Sequence, residues 1–142
     1  MKIEEIENEI AEEFSFFDEW VDKYEYIIEL GRKLEPIPEE TRVEENMVSG
    51  CQSKVWLIAE MKDETIEFKA DSDSTIVKGL IALLLRVLSN QKPEDITNAK
   101  LGFIEKIGLT QHLAQTRANG LFAMIKQIKI YAMAFQIQHQ KV

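Results

Sequence analysis

The chain has 142 residues, 45% of them hydrophobic and 30% charged, and a net charge of -8. A domain of that size buries roughly 70% of its unfolded surface, so no disulfide or metal is needed to hold a core, and the residues read as one domain spanning 1–142. Residues 1–50 carry 16 acidic against 5 basic side chains and residues 51–142 carry 9 against 12. That balance, with no dense patch among Lys126, Lys129 and Lys141, argues against nucleic acid as a partner.

Ile3, Ile6 and Ile10 recur at helical spacing, and Phe14, Phe17, Val21, Tyr24 and Ile28 continue the pattern in steps of three and four. Two amphipathic helices, or one bent helix, are expected. Ser15 followed by Asp18 resembles a capping box that starts the second helix, and Gly31 with Pro36 and Pro38 reads as its stop. From Arg42 to Asp71 the period becomes alternating. Val55, Leu57, Ala59 and Met61 share one face, as do Ile66, Phe68 and Ala70, around a polar turn at Lys62–Glu64, which predicts a β-hairpin. Arg42–Val48 is read as a third strand, placing Cys51 in a loop before the strand that holds Trp56.

Ser72, Ser74 and Thr75 are candidate caps for a helix over Ile76–Ser89, apolar almost all round and expected to be buried. Its apolar run Leu80–Leu85 is broken by Arg86, far short of the ~20 residues that span a bilayer. Pro93 can open a short helix, and Leu101–Ile107 is read as another. Gly108 breaks the chain before a long final helix from near Thr116, striped by Leu121, Ile125, Ile128, Ala132 and Phe135. The expected architecture is α+β, several helices packed on a small antiparallel sheet of about three strands. The acidic, helix-periodic start lacks the basic-then-apolar order of a secretory signal, so the cytoplasm is the expected compartment.

Cys51 is the only cysteine, which rules out an internal disulfide, a CxxC redox pair and a multi-cysteine metal site within the chain. Taken alone it reads as a packing residue. Its neighbours suggest more: Gly50 forms a turn before the thiol, and a strand follows Gln52, Ser53 and Lys54, so a loop thiol is presented on a rigid base. His112 is read first as a hydrogen-bonded structural residue and His139 as an exposed one. Trp56 is read as core, with shelter for the thiol as its alternative.

The run Gly50-Cys51-Gln52-Ser53-Lys54-Val55-Trp56-Leu57 resembles the hallmark of the SufE family of sulfur acceptors. The resemblance extends to Tyr26–Leu34, to Asp71–Leu85, to Gln111-His112-Leu113 and to Arg117-Ala118-Asn119-Gly120-Leu121, while the first dozen residues and the tail after Ile130 carry little of it. Thr116 departs mildly from the serine common before that arginine.

This resemblance implies a SufE/IscU-like fold and a sulfur carrier for iron-sulfur cluster assembly that is itself no enzyme and has no cofactor of its own. Its implied partner is a pyridoxal-phosphate cysteine desulfurase of the SufS/CsdA kind, which it activates and from which Cys51 takes sulfur as a persulfide. The sulfur then passes to an iron-sulfur scaffold complex. Arg117 is implied as a supporting contact, and Gly50, Gln52, Ser53, Lys54, Asp71, Asp73 and His112 as partner-facing residues. Asp71 and Asp73 equally suit a helix start. A monomer and a homodimer both remain open. Competing readings are an iron-sulfur scaffold, which needs several thiolates, a thiol hydrolase or peroxidase, which needs a base aligned on Cys51, and an interaction domain in which Cys51 only packs.

Overall fold

A computed structural model describes residues 1–140, with side chains described through residue 138; His139 and Lys141 therefore fall outside what is described of side chains. The elements are α1 (Ile3–Ser15), α2 (Trp20–Arg32), β1 (Val55–Lys62), β2 (Thr65–Ser72), α3 (Thr75–Leu88), α4 (Pro93–Asn98), α5 (Phe103–Lys106), α6 (Leu109–His112) and α7 (Gln115–Gln140). β1 and β2 pair antiparallel from Val55 opposite Ser72 to Lys62 opposite Thr65. Asp63 closes the hairpin with φ of 58°, a left-handed conformation that Asp tolerates because its short polar side chain bonds locally.

The sheet has two strands among the described residues rather than three. Arg42–Val48 holds a 3-10 turn at Glu44–Asn46, just after another at Glu39–Thr41, and only an isolated bridge joins Met47 to Trp56. The acidic Glu44-Glu45-Asn46 run offers no alternating apolar face to a sheet. Its polar groups bond locally, with the Asn46 amide donating to the Thr41 carbonyl at 2.9 Å.

The inward face of the hairpin, Val55, Leu57, Ile66, Phe68 and Ala70, is buried. It packs against α3, capped by Ser74 whose hydroxyl accepts from the Val77 amide. α3 buries nine of its residues and forms the centre of a core that draws on every helix except the outer faces of α1, α2 and α7.

The expected stop at Gly31 falls one residue before the end of α2. α2 runs through it to Arg32, and a Cβ on Gly31 would stand 2.6 Å from the Gly79 amide nitrogen. A Cβ on Gly79 would in turn collide with the Ile27 carbonyl. These two glycines let the α2 and α3 backbones touch.

Ser15 ends α1 rather than capping α2, its hydroxyl donating back to the Glu12 carbonyl at 2.5 Å. The chain breaks over residues 16–19, which resets the helical phase. Ile27 is then fully buried, while Val21, predicted on the inward stripe, is 61% exposed.

Glu13 ties three helices together. Both its oxygens take Arg86 of α3, at 2.8 and 2.5 Å, and one accepts from the Tyr26 hydroxyl of α2 at 2.6 Å. The Arg86 guanidinium holds the Glu13 carboxyl below its ordinary range. Burial and the adjacent carboxylate push the Tyr26 phenol up to about 12.

Candidate functional site

Cys51 lies in the loop between Val48 and β1. The Val48 amide donates to the Val55 carbonyl at 2.9 Å, so the chain leaves and rejoins the sheet at one point and residues 49–54 project from it. Gly50, with φ of 89°, makes the turn that a side chain would strain.

A clasp closes the loop from the far side. The Lys54 amide donates to the Asp73 carboxylate at 3.0 Å, and the Lys54 carbonyl accepts from the Ser72 hydroxyl at 2.7 Å and from the Asp73 amide at 3.3 Å. The Asp-Ser-Asp segment at the end of β2 thus holds the base of the cysteine loop as well as leading into α3.

Cys51 is half-buried, and its thiol donates to the Gly120 carbonyl at 3.6 Å. A Cβ on Gly120 would meet the sulfur at 3.7 Å, an ordinary van der Waals contact, so the thiol is seated by the Gly120 carbonyl in the second turn of α7. Burial pushes the Cys51 thiol above its ordinary pKa.

Beside the sulfur is a cavity of about 340 Å³. Gln52 and Ser53 flank Cys51 at its edge, Val55, Val77, Leu80, Leu121 and Met124 form apolar walls, and Ser74, Ala114, Thr116, Arg117 and Gly120 complete it. Arg117 is the only charged residue in that lining, which contains no carboxylate and no imidazole. Its guanidinium donates to the Tyr24 hydroxyl at 2.9 Å and sits 5.8 Å from the Tyr24 ring centre. An arginine has five N–H donors, so most of its capacity is uncommitted.

The residues expected at a partner surface separate into three groups. Gly50, Gln52 and Lys54 are exposed and Ser53 is half-buried, all on the cysteine loop. Asp71 is only 5% exposed; it is ion-paired to Arg42, lies 3.5 Å from the Lys78 ammonium, and accepts from the Ser72 amide. It therefore presents no free carboxylate to a partner. Asp73 is exposed but engaged in the loop clasp. His112 is exposed, yet its ring stacks on Trp20 with centroids 4.5 Å apart, and it does not line the cavity.

Trp56 belongs neither to the core nor to the thiol shelter. It is half-buried on the outer face of β1, with the Arg42 guanidinium 5.0 Å over its ring, because its neighbours Val55 and Leu57 take the inward face.

Sequence reasoning missed Tyr24 as the Arg117 partner, Ser72 as part of the clasp, and Gly120 as the seat of the thiol. These contacts join residues 93, 18 and 69 positions apart, so no local pattern signalled them.

Among the described residues no group of three or more His, Cys, Asp and Glu side chains could hold a metal ion, and no helix is long and apolar enough to cross a membrane.

Residues 8–132 match the family model of SufE, the Fe-S metabolism associated domain. An uncharacterized SufE-like protein of Rhizobium meliloti is 43% identical over 127 residues, covering 86% of this chain and 91% of that protein. A second, from Rhizobium etli, is 40% identical over 129 residues, covering 86% of each. The solution structure of a hypothetical protein from Thermus thermophilus shares the fold, with a TM-score of 0.75 at 20% identity over 91% of this chain and 94% of that one. With a family model spanning most of its length and relatives of this identity, the chain belongs to the SufE family.

Proposed function

We propose that this protein is a sulfur carrier that accepts sulfane sulfur on Cys51 from a cysteine desulfurase, stimulates that enzyme, and delivers the sulfur to an iron-sulfur scaffold complex in the cytoplasm. The observation that carries this reading is the composition of the Cys51 cavity: a thiol beside apolar walls, one arginine, and no acid or base.

In the transfer, the Cys51 thiolate attacks the outer sulfur of the donor persulfide. A new S–S bond forms at Cys51, the donor's S–S bond breaks, and the donor cysteine leaves as a thiolate. The product carries negative charge on its terminal sulfur, which the Arg117 guanidinium can pair with inside the same cavity. The apolar walls keep water and stray thiols from that sulfur.

In the free protein the raised pKa and the hydrogen bond to Gly120 keep Cys51 protonated and quiet. Nucleophilicity requires the thiolate, so full reactivity is reserved for a docked state in which the thiol leaves its seat. A hydrolytic role would need a base against Cys51, and the cavity lining offers none.

Intact-protein mass spectrometry after incubation with a cysteine desulfurase and L-cysteine tests the proposal. One added sulfur, removed by reductant and missing in Cys51→Ala, is the expected result. No added sulfur on the folded wild-type chain beside an active desulfurase refutes it.

A further inference from the structure

The longest helix has an apolar surface that the fold does not use. Phe122, Ile130, Met133 and Ile137 are 49%, 48%, 55% and 49% exposed, four of the nine exposed large hydrophobics among the described residues. At 100° per residue these four and Lys126 share the side of α7 opposite buried Leu121, Met124, Ile128 and Ala132. A surface helix normally keeps such a face polar.

The face is continuous with the cysteine loop. A Cβ on Gly50 would lie 3.4 Å from the Ala123 side chain, so the loop rests on α7 at that residue. Ile130 and Ile137 follow Ala123 at seven-residue spacing, each step about 10.5 Å along the axis on nearly the same side. The row thus starts at the Cys51 loop and emerges uncovered.

Its charge points to the kind of partner. Residues 115–140 contain Arg117, Lys126 and Lys129 and no acidic residue, in a chain of net charge -8. Lys129 is committed to the Ala99 carbonyl at 2.5 Å. Lys126 is exposed and, among the described residues, joins no ion pair. A second copy of the same face would set cations against cations and bring two acidic chains together. An apolar surface that carries a carboxylate is the complement.

We propose that the outer face of α7 is the docking surface for the sulfur-donor desulfurase, whose contacting segment is apolar and places an acidic side chain against Lys126. This rests on the carrier role proposed above. A donor that brings its persulfide to Cys51 lies beside the row at Ala123, and contact along the row adds affinity without touching the reacting sulfurs.

The test is calorimetric titration of the desulfurase with the Cys51→Ser chain, which cannot take sulfur and so reports docking alone. Ile130→Glu combined with Met133→Glu should weaken binding by about tenfold or more, as for central interface residues. Lys126→Glu should weaken it as well, and Phe16→Ser, at a hydrophobic residue 79% exposed outside α7, should leave it unchanged. Circular dichroism verifies that the helices persist.

Undiminished affinity in the double variant overturns the proposal while leaving the carrier role intact if wild-type Cys51 still loads sulfur. A wild-type dimer in sedimentation that the double variant dissociates, with unchanged desulfurase affinity, overturns it in favour of a second copy. A wild-type chain that neither binds the desulfurase nor loads sulfur overturns both proposals.

Discussion

Replacing Asp73 by Ala should expose Cys51 without unfolding the protein. The change removes one charge-assisted acceptor from the Lys54 amide, at 3.0 Å, and leaves the Ser72 hydroxyl and the Asp73 amide still bonded to the Lys54 carbonyl. A hydrogen bond to a charged group contributes about 1.5–3 kcal/mol when well shielded. Asp73 is exposed, so about 1 kcal/mol is the better figure, corresponding to roughly a fivefold larger population of open loops. When opening is fast relative to chemistry, alkylation of Cys51 by iodoacetamide scales with that population. The rate should rise about fivefold over wild type at one pH, measured relative to each denatured chain so that intrinsic thiol reactivity cancels. Because burial raises the thiol pKa, the pH midpoint of alkylation should also fall toward the ordinary value of about 8.5 in the variant. Asp73→Asn keeps an acceptor oxygen and should fall between. An unchanged rate and midpoint in a folded Asp73→Ala chain would refute the idea that this clasp holds the thiol in its seat.

Arg117→Ala should slow sulfur loading and shorten the lifetime of the Cys51 persulfide, each by about tenfold if one charge-assisted contact is lost; Arg117→Lys should recover part of it, and timed mass spectrometry reads both. Gly79→Ala forces α2 away from α3 and should cost at least about 1–3 kcal/mol, lowering the melting temperature by several degrees in a thermal scan. The Glu13–Arg86 pair gives a signed pH effect. The folded Glu13 pKa is depressed, so its stabilisation is present above the unfolded value of about 4.3 and is lost as pH falls through the folded pKa. Urea titrations should therefore show Arg86→Met less stable than wild type at neutral pH, with the gap shrinking in acid.

Much of the fold was legible wherever one local rule sufficed. The alternation of Val55, Leu57 and Ala59 against Ile66, Phe68 and Ala70 predicted the hairpin, which forms with Leu57 opposite Ala70 and Ala59 opposite Phe68. Ser74 was recognisable as a cap because its hydroxyl serves an amide three residues away. Expectations failed where two local solutions competed. The Ser15–Asp18 pattern fits a cap, yet Ser15 bonds backward to Glu12 and Glu19 stands at the start of α2 without a side-chain cap bond. The stripe through Phe14, Phe17 and Val21 assumed one helical phase across a break, and Val21 consequently turned outward. Arg42–Val48 lacked the alternation that a third strand requires.

Chain order alone determined that the single thiol stands after a glycine turn and before a strand, since both depend only on adjacent residues. Tertiary structure decided the rest of the site. Asp73 reaches back 19 positions to the Lys54 amide, Arg117 meets Tyr24 across 93 positions, and Gly120 receives the Cys51 sulfur across 69. The surroundings of Asp71 and His112 were hidden for the same reason: an ion pair with Arg42 and a stacking contact with Trp20 depend on how distant segments meet in space. Side-chain periodicity specifies which face of an element turns inward, whereas the partner that each face meets emerges only when the core closes around α3.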